Sequence, residues 1–115
     1  MKILLQEIHW LAGLLEGEGS FIWHQGQRDQ GRPRIQLQMT DLDVMERACA
    51  LLGSPLCGPY NSKQKKVDGT SKKETYYTAL SGSNAAGWMM TLFTVMGERR
   101  KSQIEPILLK WRALG

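Results

Sequence analysis

The sequence predicts an α+β fold in the order αββαββα with a helical tail. Stretches with apolar residues at helical spacing alternate with two strand-turn-strand segments. One strand, Arg32 to Thr40, alternates cleanly between apolar and polar side chains. Glycines fall where elements must stop or turn.

Taken in order, Glu7 to Glu16 are good helix formers with Ile8, Leu11, Leu14 and Leu15 on one side, and the pair Gly17 and Gly19 is expected to end that helix. Ser20 to Gln25, carrying Phe21, Ile22 and Trp23, then forms a strand, followed by a Gly-rich polar turn from Gly26 to Gly31 and the strand Arg32 to Thr40. In that second strand Ile35, Leu37 and Met39 face a core, while Arg34, Gln36, Gln38 and Thr40 make a polar, basic surface. Asp41 or Asp43 caps a second helix, Val44 to Leu52, which Gly53 stops.

A second hairpin is expected from about Leu56 to Lys66 and Thr70 to Ser81, turned at Asp68-Gly69, with Lys63, Lys65, Lys66, Lys72 and Lys73 crowding its tip. Helices over Asn84 to Met96 and Arg99 to Leu114 follow, separated near Gly97, with Pro106 an irregularity that kinks or restarts the last one.

The chain has 115 residues, which suits one compact core spanning residues 1–115 and no second domain. Hydrophobic residues make up 42% and charged residues 23%, which excludes disordered and fibrous classes. A formal charge of +4 permits a polyanionic partner without requiring one. Cys49 reads as helix core and Cys57 as a reduced thiol, and neither has the spacing of a metal site. His9 and His24 lack zinc-like companions, and Trp10, Trp23, Trp88 and Trp111 read as core or interface residues. No run approaches the ~18 apolar residues that cross a bilayer, and no signal peptide opens the sequence. An intracellular protein with no membrane partner is expected.

The segment Leu11-Ala12-Gly13-Leu14-Leu15-Glu16-Gly17-Glu18-Gly19, continued by Ser20-Phe21, resembles the LAGLIDADG motif of homing endonucleases. It joins a helix to a hairpin, and the element order behind it matches that family's core, so the resemblance spans nearly the whole chain. It implies a curved antiparallel four-stranded sheet with helices on one face and DNA in the saddle on the other.

The resemblance also implies a reaction: site-specific hydrolysis of double-stranded DNA with Mg2+ or Mn2+, serving the mobility of an intron or a freestanding gene. The same fold also serves non-cutting roles, as an RNA maturase or a DNA-binding regulator. A chain with one motif must pair with a second copy. His9, Gly13 and Gly17 lie at spacings of four on one helical face, where small residues allow close approach. Ala12 completes the expected interface, and Glu16, the motif's first acid, takes a helix-end or interface role. Glu18 is then the metal-binding carboxylate, with the Gly17 carbonyl as a second ligand, and it stands where the family usually has Asp.

A family pattern like K-x-x-Q near the start of the last helix is met imperfectly by Arg99-Arg100-Lys101-Ser102-Gln103, so its phosphate-assisting basic residue is either Arg100 or Lys101. Base readout is expected from Ser20, Ile22 and His24 on the first strand and from Arg32, Arg34, Gln36, Gln38 and Thr40 on the second. Arg and Gln are the residues that form bidentate contacts to guanine and adenine. Arg28 and the five hairpin lysines would meet phosphates or outer base pairs.

Overall fold

A computed structural model describes residues 3–27, 29–60 and 74–114. The order is α1 (Leu5–Glu18), β1 (Gly19–His24), β2 (Arg32–Met39), α2 (Leu42–Leu52), β3 (Cys57–Tyr60), β4 (Thr75–Ser81), α3 (Ser83–Phe93) and α4 (Glu98–Leu114). The strands form an antiparallel sheet in the order β1-β2-β4-β3. Each hairpin places its second strand at the centre, so β2 and β4 pair with each other.

Alternation decides which face is covered. In β2, Pro33, Ile35 and Leu37 are buried, while Arg34, Gln36 and Gln38 point the other way. The register aligns Phe21 of β1 with Ile35 and Ile35 with Leu80 of β4, so the buried residues line up across the sheet. One apolar cluster joins them to Leu11 and Leu15 of α1, Met45 and Leu52 of α2, Met89 and Leu92 of α3, and Ile104 of α4. Burying each such side chain contributes about 1.5–3 kcal/mol. Among the described residues, no helix is long and apolar enough to cross a membrane.

Several boundaries differ from the expectation. The first helix does not stop at Glu16 but runs through Gly17 to Glu18. Gly19 alone makes the break: its N–H still bonds to the Leu15 carbonyl, but its backbone is already extended, and a Cβ there would come within 2.7 Å of Leu15 Cδ2. Asp41 holds the cap position of α2, but its side chain makes no cap hydrogen bond. At the other end Gly53 adopts φ 70°, a left-handed turn that lets Gly53 and Ser54 both bond to the Cys49 carbonyl.

α3 ends at Phe93 instead of continuing to Met96, because the chain tightens into turns closed by Val95 N–H to Leu92 and Met96 N–H to Phe93. α4 passes through Pro106 as one helix. Pro33 in a central strand is tolerated for a local reason: opposite it stands Gly82, whose carbonyl already accepts from Ala86 in α3. The Asp68-Gly69 turn lies outside the described residues. Cys49 is buried, Cys57 is half-buried, and both are free thiols.

Candidate metal centre and nucleic-acid interface

No linker separates α1 from β1, so the end of the helix and the start of the sheet are one rigid corner. Leu11, Ala12 and Leu15 turn into the core, which leaves His9, Gly13 and Gly17 on an exposed stripe on another side of the helix. A Cβ at Gly13 or Gly17 would meet nothing within 4 Å, so packing inside this chain does not require either glycine. Ala12 departs from its expected interface role. It is 4% exposed because it lies beside Leu11 on the buried face and packs into its own core.

The two acids of the corner have different fates. The Glu16 carboxylate accepts the Gly97 N–H and lies 3.7 Å from Arg100 Nε, and the Glu16 carbonyl accepts from Arg100 Nε at 3.0 Å and Arg99 Nη2 at 3.4 Å. α1 has no basic residue in its own last turn, so these arginines of α4 supply the positive charge that C-terminal carbonyls favour. Glu16, expected at a helix end or a subunit interface, thus commits its charge within the chain at the helix end. Glu18 is exposed and, among the described residues, its carboxylate has no hydrogen-bond or ion-pair partner. It lines a depression of about 120 Å3 with Ser20, Gln36, Gln38 and Tyr77.

Arg100 and Lys101 diverge. Arg100 is 7% exposed, gives Nη1 to Gln103 at 2.9 Å, and holds its guanidinium 5.7 Å from the Phe21 ring. Burial pushes the pKa of its guanidinium down, neighbouring Arg99 pushes the same way, and Glu16 opposes both. Lys101 turns elsewhere, 3.9 Å from Glu98 and 5.8 Å over the Phe93 ring. The structure therefore brings Arg100, and not Lys101, to the end of α1.

On the open face the register sets Ser20 beside Gln36, Ile22 beside Arg34, and His24 beside Arg32. Thr40 is exposed just past the end of β2. None of the four strands carries an acidic residue. Arg28, Lys63, Lys65, Lys66, Lys72 and Lys73 lie outside the described residues.

Two features escaped the sequence reading. Asp29 organises the first hairpin's turn, accepting from Gly26 N–H and Gly31 N–H at 2.9 Å each and from Arg32 at 3.2 Å. The Gly26 bond leads in holding the Asp29 carboxyl below its usual pKa. Tyr77 and Ser81 of β4 receive Arg34 on the open face. The period-two step Tyr77, Ala79, Ser81 was the available signal for these two.

The metal donors of one chain are sparse. Among the described residues, no three His, Cys, Asp or Glu side chains gather into a possible metal site. Glu18 and the Gly17 carbonyl, one of the helix-end carbonyls, remain. That set is too small for a structural zinc or calcium cage, but it fits Mg2+, which takes one or two carboxylates and completes its shell with water and substrate phosphate.

The fold defines the class: the chain has the fold of the LAGLIDADG homing endonucleases, and the corner holds the segment that resembles their motif. Among solved structures it is similar to the homing endonuclease I-CvuI in complex with its target, with a TM-score of 0.64 at 17% identity, over 90% of this chain and 64% of that one. It is also similar to the intron-encoded homing endonuclease I-CeuI complexed with DNA, with a TM-score of 0.58 at 11% identity, over 91% of this chain and 53% of that one. The archaeal intron-encoded I-Vdi141I, also complexed with DNA, gives 0.51 at 19% identity, over 77% of this chain and 54% of that one. The chain thus spans from about half to just under two thirds of the length of these relatives. No family model matches the chain, and no curated protein matches it.

Proposed function

We propose that residues 1–115 form a single endonuclease domain that pairs with a second copy and hydrolyses both strands of a long, roughly palindromic DNA target, in the service of intron or gene mobility. The observation that carries this reading is Glu18. It is exposed and unpartnered among the described residues, at the edge of a sheet face that holds Arg and Gln and no acid.

The sparse donor set favours two copies, since each brings one carboxylate to the shared axis. The exposed stripe of His9, Gly13 and Gly17 gives the two helices a surface on which to meet. Glu18 and the Gly17 carbonyl would supply the oxygen ligands for Mg2+ or Mn2+. When bound, the ion would lower the pKa of an attacking water and neutralise charge on the leaving 3′ oxygen. Arg100 holds positive charge at the same corner, and as an arginine it stabilises a phosphate without moving a proton. Lys101, drawn towards Glu98 and Phe93, receives no role. Arg32, Arg34, Gln36 and Gln38 read base edges in the major groove.

The test is a supercoiled plasmid carrying the genomic sequence that flanks the gene, incubated with Mg2+. Linearisation by the wild-type protein and none by Glu18→Gln, with its melting temperature and binding in Ca2+ retained, is expected. Binding without cutting, the same in both proteins, would instead mark a non-cutting nucleic-acid-binding member of this fold.

A further inference from the structure

Arg34 differs from the other polar residues of the open face in being held in place. It lies opposite Ser81 on β4, to which its Nη1 donates at 3.3 Å, and its Nη2 donates to the Tyr77 hydroxyl at 2.9 Å. Tyr77 precedes Ser81 by four residues on the same face of the strand. The residue between them on that face is Ala79, so two long side chains close over a methyl group.

Arg34 Nε is buried with no partner, which closes the side of the guanidinium to any ligand. Each terminal nitrogen carries two N–H groups and has given away one, so one remains on each. Two parallel N–H donors are the fork that matches the O6 and N7 acceptors of guanine. Its neighbours are arranged differently. Arg32 is an exposed residue tied to Asp29 in the turn, and Gln36 and Gln38 make no side-chain hydrogen bond among the described residues.

We propose that Arg34 reads one guanine in each half of the target, and that Tyr77 is the positioning residue that sets its selectivity. This rests on the DNA-binding reading above. A loose arginine can swing to a phosphate or to another acceptor. One pinned by Tyr77 and Ser81 has its rotamer freedom removed before binding, so a wrong base leaves its N–H groups without acceptors.

The experiment is selection from a pool of randomised duplexes in Ca2+, with wild type, Arg34→Ala, Tyr77→Phe and Ser81→Ala compared position by position. Wild type should enrich guanine at one position per half-site, and Arg34→Ala should abolish that preference. Tyr77→Phe should lower it by roughly three- to tenfold at that position alone, with the melting temperature unchanged. Ser81→Ala, which removes the longer bond, should lower it less.

Unchanged guanine preference in Tyr77→Phe would overturn the proposal, as would an even loss at all positions accompanied by a lower melting temperature. So would a guanine preference that survives Arg34→Ala. A wild-type protein that enriches no sequence would remove the DNA-reading function itself, an outcome distinct from all of these.

Discussion

The two faces of one sheet obey opposite rules, although the same three strands build both. On the covered face, Phe21, Ile35, Leu37 and Leu80 fall to between 0% and 9% exposure, because four helices of the same chain complete their surroundings. On the open face, Arg34, Gln36, Ala79 and Ser81 alternate with them and gain no such cover. Stability resides on the first face. The second carries polar side chains that the helices leave open, and the difference can be measured.

The largest effect belongs to the covered face. Ile35→Ala removes a side chain that is 0% exposed at the centre of the sheet, and it should cost about 2–5 kcal/mol in urea unfolding. A loss below about 1 kcal/mol would mean that the helices do not seal that face.

An intermediate effect belongs to the corner where the faces meet. Glu16→Ala takes the acceptor from Gly97 N–H and the counter-charge from Arg100, and a loss of about 1 kcal/mol is expected, since the Glu16 side chain is partly exposed. A loss above about 3 kcal/mol would instead show Arg100 acting as a buried charge that depends on this one partner.

The smallest change in stability belongs to the open face. Gln36→Ala should shift unfolding by no more than about 0.5 kcal/mol. It should nevertheless weaken the preference at one base pair by about 1–3 kcal/mol in DNA-binding titrations. A stability change as large as that of Ile35→Ala would erase the distinction between the faces.

Much of this arrangement is legible in the residues. The alternation from Arg34 to Met39 separates the two faces of β2, and Gly53 marks the end of α2 through a backbone angle that suits glycine. The fold follows from that order, and the likeness to solved homing endonucleases agrees with it.

What remained hidden depends on distant contacts. Ala12 is small whether it faces a core or a partner helix, and only its neighbour Leu11 in the folded chain decides between them. The partners of Glu16 lie more than eighty residues away in sequence, beyond any local pattern. The period-two step puts Tyr77 on one face with Ser81, but only the pairing of β4 with β2 sets that face beside Arg34. Gly17 looks like a stop in the sequence, but a glycine in the final turn costs too little to end a helix that Leu15 anchors.

The absence of any loop between Glu18 and Gly19 constrains how such a protein can diverge. One inserted residue at that joint would turn Ser20, Ile22 and His24 inward and Phe21 and Trp23 outward, reversing the whole strand at once. A lineage built on this joint can therefore revise its open face one side chain at a time, through substitution, while the joint itself tolerates neither insertion nor deletion.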